Sequence, residues 1–578
     1  MILKALCDYY DRRGDEVAPL YKAYVKFHYS IVIDKDGKFL RLASLGDENG
    51  LPLLVYRPEE RTSAPVPHCL GDNASYVLGL KNVKDIENFD FAKEIKSNKK
   101  NFDAFKEDVE KTYASLPKNM YARAVHLFYS NYGLAVIDNI KKDGLWKDFI
   151  KNLSKNITFS IQGCSSYAAS DAGIIDQKIK SRQNNNKEVI CLISGKKSKP
   201  VNTTYSTFIL GGKSNAKLVA FQVGSGYDSY GKQQGLNAPI SEEAEFKYTT
   251  ALLQMLSKDS HNKIVLGGRT FVFWTSSQSE ASQQAEQSLF EFLAFQDDKC
   301  EDSKAKTEKV KEVFKAIYTG CLKSTTDDHF YFLGLAPNAA RIAVVYWSET
   351  TLRNFAGMLL HHFEDMDIID TRKEKKPYAG VRDMMSAVTL GGKQSEVTPN
   401  LPETVIKSII QGIPYPYTLY SACIRRIRAE SSGGNSVRIT RAAIIKAYIN
   451  RTSNNKLTIM LDSNNTNQGY LCGRLFAVLD KIQEEANSIS TIRERYMNAA
   501  SATPSAVFAT ILNLSNHHME KLSEGRKIYF EKLKQEILEK LSADGFPVYL
   551  DLQDQGRFFV GYYHQRQNFF IKKEDNNE

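Results

Sequence analysis

Two spacings of apolar residues divide this chain. Up to about residue 370, short runs alternate apolar and polar positions, the two-residue period of half-buried strands. Beyond that point apolar residues recur every three or four positions, the period of amphipathic helices. KFHYSIVID and KFLRLASL, separated by KDG with Asp36-Gly37 at the bend, predict a hairpin. Residues 81–155 interrupt the strands with a charged helical pattern that places Phe91, Phe102, Phe105 and Val109 on one face. Strands resume at ITFSIQG, EVICLIS, TFILGG and KLVAFQV, joined by the polar loop of residues 180–187. IVL and RTFVFW flank Gly267-Gly268 as a second hairpin. Helices over 278–295 and 304–318 precede a strand pair, FYFLGLA and RIAVVYW, and Ser348 is placed to cap the helix ETTLRNFAGMLLHHFEDM.

The pattern predicts an α+β protein. Residues 1–370 form a large mixed region of antiparallel sheets with helical insertions, the main one at about 81–155. Residues 371–400 are a linker zone, and 401–578 an all-α helical bundle. A chain of 578 residues exceeds what one core serves, so two or three domains are expected.

Charge sharpens this picture only through its distribution. The net charge of +10 would mean little if spread evenly. Between Arg425 and Lys456, however, stand Arg425, Arg426, Arg428, Arg438, Arg441, Lys446, Arg451 and Lys456, with Glu430 the one acid. Such a surface is a phosphate track, or else its guanidinium groups make salt bridges to acids elsewhere in the bundle. The eight cysteines include no C-x-x-C pair and no histidine at metal-ligand spacing, which argues for free thiols in a reducing cytoplasm. No apolar run approaches the ~20 residues of a membrane span.

Candidate chemistry is sparse. GGKS at 211–214 lacks the glycine a phosphate loop needs at Thr207, and Gly224-Ser225-Gly226 lacks a third glycine. His361, Glu364 and Asp365 share a helical face and make the best candidate divalent-metal cluster, hence a rival reading as a metal-dependent nuclease. Neither a metal nor a cofactor is expected. Two polar loops fit nucleic-acid contact better. In DNASYVLG, Asp72, Asn73 and Tyr76 form one set; Asn73 pairs with a base edge, or Asp72 and Asn73 cap the next segment as an Asx-turn. In YGKQQGLN, Lys232, Gln233, Gln234 and Asn237 supply donors on a glycine-rich loop bounded by Tyr230 and a helix that Ser241 caps.

These two loops, with CLISG, TFVFW, FYFLGLAPNAARIAVVYW, the RRIRAE segment and RAAIIKAYINR, resemble in order and spacing the large subunit of the type I-C CRISPR Cascade. The resemblance runs from about residue 20 to the end of the chain. It implies a non-catalytic, cytoplasmic DNA-binding subunit of an RNA-guided surveillance complex. Such a subunit reads a short motif in duplex target DNA, promotes R-loop formation and holds the displaced single strand. Its partners are the CRISPR RNA complex, the backbone and small subunits and a helicase-nuclease, with no membrane. It also implies that 460–578 is a small-subunit-like bundle, available as a separate product started at Met460. A purely protein-binding scaffold is the remaining rival.

Overall fold

A computed structural model describes residues 1–61, 64–81, 90–182, 188–224, 228–294, 303–323, 328–371, 380–431, 433, 437–488 and 491–571. They form two compact units: residues 1–207 with 217–254, and residues 208–216 with 255–578.

The first unit is built on a four-stranded sheet in the order Phe39–Ser44, Tyr29–Ile33, Asn156–Ile161, Gly71–Asn73. The hairpin expected at Asp36-Gly37 is present: the Asp34 carboxylate accepts the N–H groups of Asp36 and Lys38, and Gly37 takes a positive φ of 78°. Tyr29–Ile33 pairs in parallel with Asn156–Ile161, so the chain between them must cross over. That crossover holds the predicted helical insertion, with helices Phe91–Ser97, Lys99–Ser115, Met120–Ser130 and Leu134–Lys141. Phe102, Phe105, Val109 and Phe128 bury against Ile31, Ile157 and Phe159, which leaves the lysines of this insertion on the solvent side.

The second unit starts from an antiparallel sheet ordered Arg341–Thr351, His329–Asn338, Arg269–Thr275, Lys263–Leu266. Gly267 and Gly268 both adopt positive φ in the tight turn, as the two-residue hairpin requires. Helices Glu280–Ala294 and Ser303–Thr319 come between strands Arg269–Thr275 and His329–Asn338, helix Leu352–Met366 follows the last strand, and Phe271, Phe273, Phe330 and Phe332 share one core with them. The same core runs on through helices Val381–Val388, Leu401–Gln411, Tyr417–Ser431 and Ile439–Thr452 to the late helices Gln468–Asn487 and Leu552–Asn568. The last two cross at backbone contact: a Cβ on Gly473 would meet the carbonyl of Phe558, and one on Gly561 that of Tyr470.

Several expectations give way. KFHYSIVID is not one strand: it breaks at His28, and Lys22–Phe27 pairs separately with Leu51–Tyr56. TFILGG and KLVAFQV form no strand among the described residues. Thr207 and Ile209 are buried while Phe208 and Leu210 stay exposed, so the alternation exists without a neighbouring ladder. The loop expected from residue 180 starts later, because helix Ala172–Arg182 continues through it; residues 183–187 lie outside the described set. Ser348 is still in its strand, and Thr351 caps the next helix by accepting the N–H of Asn354. In the linker zone, residues 372–379 lie outside the described set, but Val381–Val388 is a core helix burying Val381, Met384 and Met385. The compact units part near residue 254, since helices on both sides of residue 370 share one core with the second sheet. Among the described residues no helix is long and apolar enough to cross a membrane.

Candidate nucleic-acid interface

Asp72 and Asn73 end the short strand Gly71–Asn73 and start the one-turn helix Ala74–Val77. Asp72 is fully buried; its carboxylate takes the Arg61 guanidinium, the His68 N–H at 3.0 Å and the Asn73 N–H at 2.7 Å. Arg61 in turn lies over the buried ring of Tyr76, 4.0 Å from its centroid. Asn73 Oδ1 accepts the Ser75 N–H at 3.0 Å and its hydroxyl at 2.7 Å, a local cap. The Asx-turn reading therefore holds for this pair. Asp72 and Tyr76 are corrected to interior residues that tie down the loop carrying Arg61 and His68, and only the half-buried Asn73 amide remains near the surface.

The loop before helix Glu242–Met255 is organised from within. Asp228 accepts the N–H groups of Gly224 and Gln234, both at 3.0 Å, and these hold its carboxyl below the ordinary carboxylate range. Asn237 Oδ1 accepts the Ser229 N–H at 3.3 Å, and its Nδ2 faces Asp228, the Lys232 carbonyl and the Gln234 carbonyl at 3.2–3.3 Å. Gly235 presses against Val201, where a side chain would strike the carbonyl oxygen, and its N–H reaches Asn202 at 3.0 Å. Ser241 caps the helix as expected, through the Ala244 N–H at 3.1 Å.

This internal bonding throws the other end of the loop outward. Ser229 and Lys232 bridge across Tyr230 and Gly231, whose φ angles of 52° and 69° make a hairpin turn with both central residues left-handed. Tyr230 is 98% exposed, and Lys232 and Gln233 beside it are exposed as well. A bulky residue at positive φ costs roughly 1–2 kcal/mol, strain that persists where the surroundings impose it. Asn237 is thus corrected from contact residue to brace, and Gln234 is half-buried at φ 46°. Tyr230, read from sequence as one bound of the loop, is its tip. The Tyr-Gly pair before a lysine was the signal for it, a less common version of the Asn-Gly turn.

The basic stretch folds the other way. Arg441 is 1% exposed; its two terminal nitrogens clasp Glu430 at 2.7 Å each and its Nε donates to the Ala387 carbonyl at 2.8 Å. Arg426 joins the same carboxylate at 2.8 Å and Arg438 approaches it at 3.4 Å. Hydrogen bonds from Arg441 and Arg426 outweigh burial and hold the Glu430 carboxyl down at about 2. Lys446 is buried with its ammonium on the Asp365 carbonyl at 2.8 Å. Arg451 donates to Asp365 Oδ2 at 2.6 Å and to the carbonyls of Ser408 and Ile413. Arg441, Lys446 and Arg451 are therefore corrected from phosphate contacts to interior clamps, as the salt-bridge alternative required. Arg428 is half-buried against Gln555 at 3.5 Å, and Arg425, Arg438 and Lys456 remain exposed.

The same clamp bears on the metal cluster. Asp365 is spent on Arg451 and is buried, His361 reaches it only at 3.7 Å, and Glu364 points to solvent. His362 faces the Tyr415 hydroxyl at 2.7 Å, and burial lowers its imidazole to about 3. No group of three or more metal-ligating side chains forms among the described residues.

Compared with known proteins, residues 6–570 match a family model described as CRISPR-associated protein (Cas_Csd1). No curated protein matches the chain.

Proposed function

The chain belongs to the Cas_Csd1 family of CRISPR-associated proteins, the large subunit of type I-C Cascade, and on that premise we propose that it is the part of the complex that reads the motif beside the target in duplex DNA. The observation that carries this reading is the braced turn at Tyr230. Asp228 and Asn237 consume their own hydrogen-bonding groups to hold Tyr230, Lys232 and Gln233 clear of the surface. A glutamine amide offers the donor and acceptor pair that base edges answer, a lysine steadies the adjacent phosphate, and an exposed ring can stack where the duplex opens. Asn73 is the second, lesser contact.

Motif contacts of this kind nucleate opening, because exchanging DNA duplex for guide heteroduplex is nearly neutral in free energy. R-loop formation then follows guide pairing, and Arg425, Arg438 and Lys456 are the exposed cations of the late helices available to the displaced strand. The subunit breaks no bonds itself; it hands the opened DNA to a separate helicase-nuclease. Met460, exposed in the irregular segment before helix Gln468–Asn487, remains the proposed start of a small-subunit-like product. In the full chain, helix Leu552–Asn568 also leans on Tyr420, whose hydroxyl donates to the Leu552 carbonyl at 2.7 Å.

The test is selection from a motif-randomised duplex library by the assembled complex. Gln233→Ala and Tyr230→Ala should broaden the selected motif, and Asn73→Ala should do so less. A selected motif identical to that of the unaltered protein in all three would refute the reading.

A further inference from the structure

The small sheet formed by Lys22–Phe27 and Leu51–Tyr56 has two unlike faces. In its register Lys22 opposes Tyr56, Tyr24 opposes Leu54, and Lys26 opposes Pro52, so these six side chains share one side. The other side is fixed: Phe27 and Val55, with Val25, Leu51 and Leu53, pack on Leu45 and Ala169. Of the first side, Tyr24, Lys26 and Pro52 are presented to solvent on a rigid base, whereas Leu54 is half-buried and the Lys22–Tyr56 end is partly covered by helix Ala172–Arg182, whose Arg182 donates to the Tyr56 hydroxyl at 3.1 Å. Tyr24 is 63% exposed and Lys26 is exposed beside it. Alternate residues of a strand lie ~6.8 Å apart, which sets a lysine on each side of one projecting ring.

Charge distinguishes this face from its surroundings. Nearby, Lys178 is paired to Asp108 at 2.6 Å, and Arg182 and Lys199 share Glu242 at 2.9 and 3.0 Å, so the cavity of about 450 Å³ that they line is internally neutralised. Lys22 has only a loose approach to Asp176 at 3.6 Å, and Lys26 makes no ion pair among the described residues. Asp47 is the acid that senses Lys26, although the Asn49 N–H does more to hold its carboxyl low. At the same end, burial first and then Lys155 and Lys26 lower the imidazole of His28, a mark of local positive potential.

We propose that this face is a rail for a single-stranded polynucleotide, with Lys22 and Lys26 on phosphate oxygens and the ring of Tyr24 stacked on one base. A duplex hides its base faces, whereas an isolated exposed ring between cations suits an unstacked strand. The inference rests on the nucleic-acid role argued above but uses none of the residues at the Tyr230 turn. The guide RNA and the displaced DNA strand offer the same chemistry, so the test carries both.

Labelled RNA and DNA single strands of one sequence are titrated with the full chain at several salt concentrations, and binding is followed by fluorescence anisotropy. Tyr24→Ala should weaken binding roughly 5- to 150-fold, the span of one lost base–aromatic stack, and Tyr24→Phe should preserve it. Lys26→Ala should lower the salt slope by about 0.7. The strand that shows these losses identifies the source. Unchanged affinity and slope for both strands in Tyr24→Ala and Lys26→Ala would overturn the rail. If Gln233→Ala still alters motif selection in that case, the motif-reading role survives without it.

Discussion

Between Arg425 and Lys456 most of the charge is turned inward, whereas between Asp228 and Asn237 the inward groups are spent so that the outward ones stay available. The arginine-rich stretch has the composition of a binding surface and is largely an internal lattice. The glycine-rich loop has the composition of any polar connection and presents an unpaired tip. Charge density thus says little about an interface until each donor has been matched with its acceptor.

Arg441→Ala tests this contrast most severely. If Arg441 is a clamp, its loss leaves Glu430 to Arg426 and Arg438, frees the Ala387 carbonyl and should cost about 1.5–3 kcal/mol in urea denaturation, while Arg425→Ala should stay within about 0.5 kcal/mol. Equal, small effects would return Arg441 to the surface.

Acid probes the same carboxylate. The folded-state value of Glu430 is depressed from 4.5 to about 2, so its contribution is complete above pH 4.5 and is lost as pH falls toward 2. Glu430→Gln should flatten the stability profile over that window. An unaltered profile would deny the hub its role.

Next in size, Tyr230→Ala and Gln233→Ala should each cost ~1–3 kcal/mol in affinity for motif-bearing duplex with no change in thermal unfolding. Asn237→Ala should do the opposite of a contact residue: a weaker loss, accompanied by faster amide hydrogen exchange at Ser229 and Gln234. The smallest effect belongs to the outer cations. Arg425→Ala or Arg438→Ala should reduce the salt dependence of single-strand binding by roughly 0.7 in slope, without regard to sequence.

Much of this architecture was legible in the chain. The hairpins at Gly37 and Gly267-Gly268, the helical insertion and the late helices all follow from spacing and turn residues, which act locally. What the spacing could not supply was partnership across distance. Phe208 and Leu210 alternate like a strand, yet only a neighbouring ladder would make them one. Helix Leu552–Asn568 is buried because Gly556 and Gly561 let other elements reach its backbone, a partnership that the spacing of its own residues does not reveal. The site was legible in the same uneven way. Glu430 stood visibly alone among basic residues, and that solitude made it the point on which three arginines converge.

The crossing at Gly473 and Gly561 bears on how the protein comes into being. Helix Gln468–Asn487 leaves the ribosome with its glycine-lined side bare, and Tyr420 waits for an acceptor 132 residues further along the chain. Until helix Leu552–Asn568 arrives, the second unit must linger half-assembled with apolar surface in water, a natural client for a chaperone. Stalling translation just before that helix should therefore trap a species that aggregates.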